Sequence, residues 1–401
     1  MDPAPTPVAL RPVERHVVSV LRDRDGATRR ELAGLTRLPL TTVTATVASL
    51  VARGVLAEGF AEPVAGGPRG AGRPASTIRI DLAGRTVAAV QLGRTRQSVT
   101  LVRLDGRVLE SAEIHLDLTQ PFEATVQELA EAARCLSDRA PDAVVLSVAM
   151  PFRQGAGAPP IPMYPPGEAP FTRRRYPRPD WLLSDPSDVL TRALGTPVLI
   201  ENDINLAALG EAGHGAARGA HTAVYLSVVP GFGAGIVIGG RLLRGAGGVA
   251  GELAHISVRE DGDLCLCGNR GCFTTARRNG PSLVDDIATA VGRTVTLEEV
   301  ISLAAGGDVM VRRWLTDLGR TMGRPLVGFV TMLNPDLLVV DSALGPAAEA
   351  VAAGLRETIE HRTSPMTHHG LEVRPGVLTT TAVAAGSAVL AAESHIGRLL
   401  G

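Results

Sequence analysis

Three of the four cysteines in this chain fall within eight residues, Cys265, Cys267 and Cys272, and His255 stands ten residues before the first. The order is Gly251-Glu252-Leu253-Ala254-His255, then Cys265-Leu266-Cys267-Gly268-Asn269-Arg270-Gly271-Cys272. One imidazole nitrogen and three thiolates form a donor set suited to a closed, tetrahedral, structural zinc site. Thiolates also prefer zinc to hard cations. The alternative is a disulfide with a free thiol, or inert buried cysteines. The histidine and the glycine-rich spacing favour the metal. Such a metal would order a loop too irregular to hold itself by packing.

The elements that position this loop must come from a chain of 401 residues, long enough for two or three domains. Its hydrophobic fraction of 45% suits sizeable cores, and an aromatic fraction of 3% makes those cores aliphatic. All 40 basic residues are arginine, which excludes a lysine nucleophile or a P-loop lysine. Residues 1–80 hold 11 Arg against 7 acidic residues, a balance of +4 within a chain of net charge -1. A small basic region on a larger acidic one is compatible with nucleic-acid binding at the N-terminus. The start, Met1-Asp2-Pro3-Ala4-Pro5, lacks the basic and apolar regions of a signal peptide. No apolar run reaches membrane-spanning length. Few cysteines, clustered for metal, point to a reducing cytoplasm and no membrane partner.

Within the first eighty residues, Val13, Val17, Val18, Val20 and Leu21 follow helical spacing from Pro12 to Arg24. Thr28 and Glu31 form a capping-box pair for a second helix that ends near Leu35. A third helix covers 37–51, with Pro39 in its first turn and Val43, Val47, Leu50 and Val51 on one face. Its other face is hydroxylated: Thr41, Thr42, Thr44 and Thr46. Short strands at Val55-Leu56 and Ser76–Ile80 flank a Gly/Pro-rich loop from Ala65 to Pro74. Three helices and a hairpin are the layout of a winged helix-turn-helix, so residues 1–82 are expected to bind double-stranded DNA. Thr41, Thr42 and Thr44 would meet the major groove. Arg73, held between Gly72 and Pro74 in the wing beside Arg69, suits a narrow minor groove. The competing reading is a helical interaction module with a solvated loop.

From Thr86 the chain alternates strand and helix. Strands are expected at Val87–Leu92, Ser98–Leu104, Ala143–Val148, Pro197–Ile200, Ala223–Val228, Gly235–Ile238 and Asp336–Val340. Helices are expected at Phe122–Ser137, at Ile204–Glu211 and from Ser282 through Met332. Two successive β-β-α units suggest a duplicated α/β fold with a cleft between lobes. Cys135 reads as core, and His368-His369 and Arg312-Arg313 read as solvated surface.

These residues carry a resemblance. The chain resembles the ROK family (repressors, open reading frames and kinases) within the actin-like sugar-kinase superfamily, over nearly its whole length. The carriers are Gly-Glu-x-x-His with Cys-x-Cys-Gly-x-x-Gly-Cys, Glu201-Asn202-Asp203-Ile204-Asn205 through Gly210-Glu211, and Ala385-Gly386-Ser387-Ala388. The N-terminal winged helix marks the regulator branch. The resemblance implies a two-lobed ROK domain over 83–401. It makes Asp203 the position of the kinases' general base, with Asn202, Glu252 and His255 as sugar-binding residues. It implies zinc on His255, Cys265, Cys267 and Cys272, shaping the sugar pocket without activating water. It also implies a homodimer or a tetramer.

The chain departs from the kinase pattern at three ATP-binding elements. Gln91-Leu92-Gly93-Arg94-Thr95 replaces Asp-x-Gly-x-Thr. Gln91 is a poor ligand for a hard cation. Pro230 takes a threonine position in the second phosphate loop and lacks an N–H. Asp341-Ser342-Ala343-Leu344 stands where adjacent glycines are usual. Thr274 replaces a sugar-contacting glutamate, and Pro151 to Pro179 forms a Pro/Arg-rich stretch with Arg173-Arg174-Arg175. The expectation is a regulator, a repressor, whose ROK domain binds a sugar or sugar-like effector, with Asp203 a vestigial base. The alternatives are an active sugar kinase carrying a DNA-binding arm, and a constitutive DNA-binding protein.

Overall fold

A computed structural model describes residues 9–22, 24, 26–60, 76–93, 97–118, 120–158, 180–229, 231–265, 267–276 and 283–401. The chain forms two compact units, Met1–Arg85 with Ala391–Gly401, and Thr86–Leu390.

The first unit holds α1 (Pro12–Arg22), α2 (Arg29–Thr36) and α3 (Leu40–Ala52), then the antiparallel pair β1 (Leu56–Phe60) and β2 (Ser76–Ile80). Thr28 caps α2 as expected. Its hydroxyl oxygen accepts the Glu31 N–H, and the Glu31 carboxylate accepts the Thr28 N–H at 2.8 Å. Arg37, with φ 56°, ends α2 in the left-handed region. Pro39 stands just ahead of α3, where a missing N–H costs nothing. The two helices meet at 114°, within the range of a helix-turn-helix. Val17, Leu21, Leu32, Val43, Val47 and Leu50 share a core with Ile78 and Leu399. Each large side chain so buried contributes about 1.5–3 kcal/mol. Pairing with β2 carries β1 to Phe60, beyond the apolar pair Val55-Leu56.

Glu14 lies beneath this core. Its carboxylate accepts the Arg11 backbone N–H at 2.9 Å and the Arg11 and Arg53 guanidinium groups at 2.7 and 3.0 Å. Arg11, then Arg53, hold its carboxyl at about 2, against the opposing effect of burial.

The second unit begins with β3 (Thr86–Leu92), β4 (Gln97–Arg103), β5 (Val108–Glu113), α4 (Phe122–Arg134), β6 (Ala143–Val148), α5 (Ser187–Leu194) and β7 (Val198–Asn202). It continues with α6 (Asp203–His214), β8 (Thr222–Ser227), β9 (Gly233–Ile238), β10 (Arg241–Leu242), α7 (Phe273–Ala276), α8 (Leu283–Val291), α9 (Leu297–Ala305) and α10 (Val309–Leu333). It closes with β11 (Leu337–Val340), α11 (Ala348–Arg362), α12 (Pro365–His368), β12 (Glu372–Pro375) and α13 (Ala382–Leu400), whose end counts with the first unit. The sheets run β5-β4-β3-β6-β7 and β10-β9-β8-β11-β12. In each, three antiparallel strands are followed by two parallel ones. This repeated order is the expected duplication. β6 and β11 are buried along their whole length, as the unbroken apolar runs of central parallel strands require.

Two expectations fail. Thr46 is buried, because it lies three residues after Val43 and shares its helix face. Cys135 is exposed: α4 stops at Arg134, its inward face is Thr125, Leu129, Ala132 and Ala133, and the capping position turns outward. Among the described residues no single helix is long and apolar enough to cross a membrane.

Candidate functional site

His255, Cys265, Cys267 and Cys272 converge. One ligand atom from each lies within 4.8 Å of all the others. Cys265 Sγ is 3.4 Å from His255 Nδ1, and Cys267 Sγ is 3.5 Å from Cys272 Sγ. No cysteine is in a disulfide, whose sulfurs would be about 2.05 Å apart. A tetrahedral ion with sulfur ligands at about 2.3 Å separates its sulfurs by about 3.8 Å, so the cage is of zinc size. Burial, then the neighbouring Cys267 and Cys265, pushes the Cys272 thiol up to about 12. Burial also raises the Cys265 thiol and lowers the His255 imidazole, which favours its neutral, ligating form.

The loop that builds this cage has little apolar content and is closed by backbone hydrogen bonds. The Cys265 N–H donates to Asn269 O at 2.7 Å, and the Gly268 N–H returns to Cys265 O at 2.9 Å. The Val258 and Phe273 N–H groups donate to Gly271 O and Ile256 O, each at 2.9 Å. Gly271 has φ 63°, and a Cβ there would lie 1.6 Å from Arg259 O, so only glycine fits. Phe273, next to Cys272, packs on Phe232 with ring centroids 4.7 Å apart and ties the loop to the core.

Asn202 and Asp203 stand where β7 turns into α6. The Asn202 side-chain oxygen caps α6 by accepting the Ile204 and Asn205 N–H groups at 2.9 and 3.1 Å, and its amide donates to Met150 O at 3.1 Å. Both ends of that side chain are thus engaged. Asp203 is half-buried at the first position of α6 and accepts the Ile204 N–H at 2.9 Å. β9 brings α6 and the Glu252–His255 turn together. A Cβ at Gly235 would lie 2.5 Å from Ala208 Cβ and 2.7 Å from Ile204 O. The Ala234 N–H donates to Gly251 O at 2.8 Å, and a Cβ at Gly251 would lie 1.9 Å from Ala234 O. The glycine-rich strand therefore lets the start of α6 and the segment bearing Glu252 and His255 approach the same three residues, Gly233-Ala234-Gly235. The His255 N–H donates to Glu252 O at 3.1 Å, which fixes the spacing within that turn.

The partners of three further polar groups emerge only from the structure. Buried Glu201 accepts Arg244 Nε at 2.7 Å, Asn205 Nδ2 at 2.9 Å and the Asn202 N–H at 2.9 Å. Buried Glu211 accepts the N–H groups of Ala216, Val377 and Leu378 at 2.7, 2.9 and 3.0 Å, and so anchors the loop after β12. Asp341 is buried at the end of β11 against the turn after β8. The Glu-Asn-Asp signature contains Glu201, but nothing local pairs it with a residue 43 positions later.

In the first unit, Thr41 and Thr44 are exposed on α3 and Thr42 is half-buried. The Thr44 hydroxyl donates to Leu40 O at 2.8 Å and keeps its lone pairs for an outside donor. Arg69, Arg73, Arg94, Pro230 and the Arg173–Arg175 run lie outside the described residues.

The ROK family profile matches residues 87–394, and the chain belongs to that family. It is 27% identical to the xylose repressor of Bacillus spizizenii over 55% of this chain and 57% of that protein. It is 26% identical to the DNA-binding transcriptional repressor Mlc of Escherichia coli over 53% of this chain and 54% of that one. The chain thus spans little more than half the length of these repressors. It is 29% identical to the glucokinase of Thermotoga maritima over 76% of this chain and 96% of the enzyme. Among solved structures, a ROK family transcriptional regulator homologous to E. coli Mlc shares the fold over 97% of both chains, with TM-score 0.72 and 22% identity. A Streptomyces griseus ROK glucokinase, in complex with glucose and AMPPNP, has TM-score 0.61 and 25% identity over 76% of this chain and 98% of its own.

Proposed function

We propose that this chain is a cytoplasmic transcriptional regulator, a repressor, whose first unit binds double-stranded operator DNA and whose ROK domain senses a sugar or sugar-like effector. The observation that carries the reading is α3. It follows α2 at a helix-turn-helix angle, buries Val43, Val47 and Leu50, and leaves Thr41 and Thr44 exposed. Thr41, Thr42 and Thr44 read the major groove and Arg73 the minor groove. The similarity to two repressors supports the same conclusion.

In the ROK domain, Asn202, Asp203, Glu252 and His255 form the effector site. Asp203 accepts a hydrogen bond from a ligand hydroxyl and is not a catalytic base. His255, Cys265, Cys267 and Cys272 hold a structural zinc that fixes the turn bearing Glu252. The protein acts as a homodimer that reads a palindromic site, and the effector shifts DNA affinity by its differential binding to two states. The altered elements at Gln91, Pro230 and Asp341 oppose phosphoryl transfer. The second reading, an active sugar kinase, is favoured by Asp203 at the start of α6 and by the glucokinase similarity.

Selection of bound fragments from the host's genomic DNA with purified protein tests the proposal. The expected result is enrichment of a few palindromic sites, lost in Thr42→Ala or Arg73→Ala. No enrichment, together with ATP-dependent sugar phosphorylation abolished by Asp203→Asn, would establish the kinase instead.

A further inference from the structure

The turn that leaves β8 has two successive backbone N–H groups, those of Val228 and Val229, which converge on one oxygen. That oxygen is Oδ2 of Asp341, at 2.8 and 3.0 Å. Its partner oxygen Oδ1 accepts the Ala343 N–H and the Tyr225 hydroxyl, each at 3.0 Å. The Tyr225 oxygen also accepts the Ser342 N–H at 3.1 Å and lies 3.2 Å from Ser342 Oγ. The Ser227 hydroxyl adds a longer contact to Oδ2 at 3.5 Å, so donors occupy both carboxylate oxygens. Asp341 is 2% exposed, and no arginine or histidine pairs with it among the described residues. Burial is the larger effect and raises its carboxyl above the ordinary value, against the downward pull of the backbone donors at Val228, Val229 and Ala343.

Successive backbone N–H groups converging on a point form an oxyanion cradle, in which phosphoryl and carboxylate oxygens are interchangeable. We propose that the Val228–Val229 turn is a phosphate-type oxyanion site that the chain fills with its own Asp341 carboxylate, which insulates the domain from nucleotide. An incoming phosphate would meet donors already taken by a buried carboxyl group. This inference deepens the regulator reading and rests on it for its purpose; its geometry does not depend on that reading.

Inorganic pyrophosphate is the first probe, because it needs only the cradle; ATP is the second. Wild type is expected to show no thermal shift with either at millimolar concentration. Asp341→Ala, checked for folding by circular dichroism, should bind pyrophosphate about tenfold or more tightly than wild type, with a melting rise of about 2 °C or more. Binding by wild type as tight as by the variant, or a folded variant that gains nothing, would overturn the inference. Should Asp341→Ala fail to fold, hydrogen exchange on wild type decides. The Val228 and Val229 amides should be protected without ligand and unchanged by pyrophosphate. Fast exchange, or protection gained only with pyrophosphate, would contradict the proposal. A failure of the regulator reading would appear separately, as absent operator binding by wild type.

Discussion

The two sheets of the larger unit share one strand order, yet each buries a carboxylate at the end of a parallel strand in a different way. Glu201, the next-to-last residue of β7, is paired with the guanidinium of Arg244. Asp341, just past β11, is held by neutral donors alone, two of them successive amides of one turn. Strand order follows from hydrogen-bond geometry and apolar burial, which tolerate change where strands end. Chemistry placed at those ends diverges while the sheets remain alike. The first sheet uses its carboxylate to orient the β7–α6 junction, where Asn202 and Asp203 lie. The second uses its carboxylate to fill a turn.

The largest expected effect belongs to the metal loop that borders this junction. Cys272→Ser should lower zinc affinity by more than the roughly 10- to 100-fold typical of changes to groups that merely support a ligand. Metal content after dialysis against a chelator measures it. Retention of full zinc would remove Cys272 from the ligand set.

The comparison itself is sharpened by removing one partner from each carboxylate. Arg244→Ala leaves Glu201 buried without its cation and should cost about 3 kcal/mol in chemical denaturation, with Arg244→Lys recovering part. Tyr225→Phe removes one of several donors from Asp341 and should cost about 1 kcal/mol. Equal costs would break the contrast between a charge-paired and an amide-held carboxylate.

Acid provides a check in the first unit. Glu14, with its folded value near 2, contributes stability that is complete above the ordinary carboxylate value of 4.5 and is lost as pH falls through about 2. Melting of wild type and Glu14→Gln between pH 6 and pH 2.5 should converge at the acid end. Curves that stay parallel would mean that Glu14 is not the linked group. The smallest effect on the fold is expected from Thr41→Ala, which should leave melting and zinc content unchanged while weakening operator binding by about 1 kcal/mol or more.

Local patterns made much of the molecule legible in the sequence. The Thr28–Glu31 cap, the strand over Val87–Leu92 and the cysteine cage each depend on residues close in the chain, whereas the third helix begins at Leu40 and not at Arg37. Thr46 was misread because hydroxyl composition competed with helical phase, and phase decides burial. Cys135 was misread because the helix was extended past its last buried turn. Arg244 on Glu201, Arg53 on Glu14 and the amides on Asp341 were not legible, since those partners are 39 to 113 residues apart and only tertiary folding joins them. Asp341 stood out as a departure from a glycine pair, but its partners did not.

The most direct measurement is operator binding by anisotropy, using a fragment selected from genomic DNA and titrated with a panel of sugars with and without ATP. The predicted result is a change in DNA affinity with one class of sugar, unaltered by ATP and lost in Asp203→Asn. DNA affinity indifferent to every sugar, accompanied by ATP turnover that needs Asp203, would contradict it.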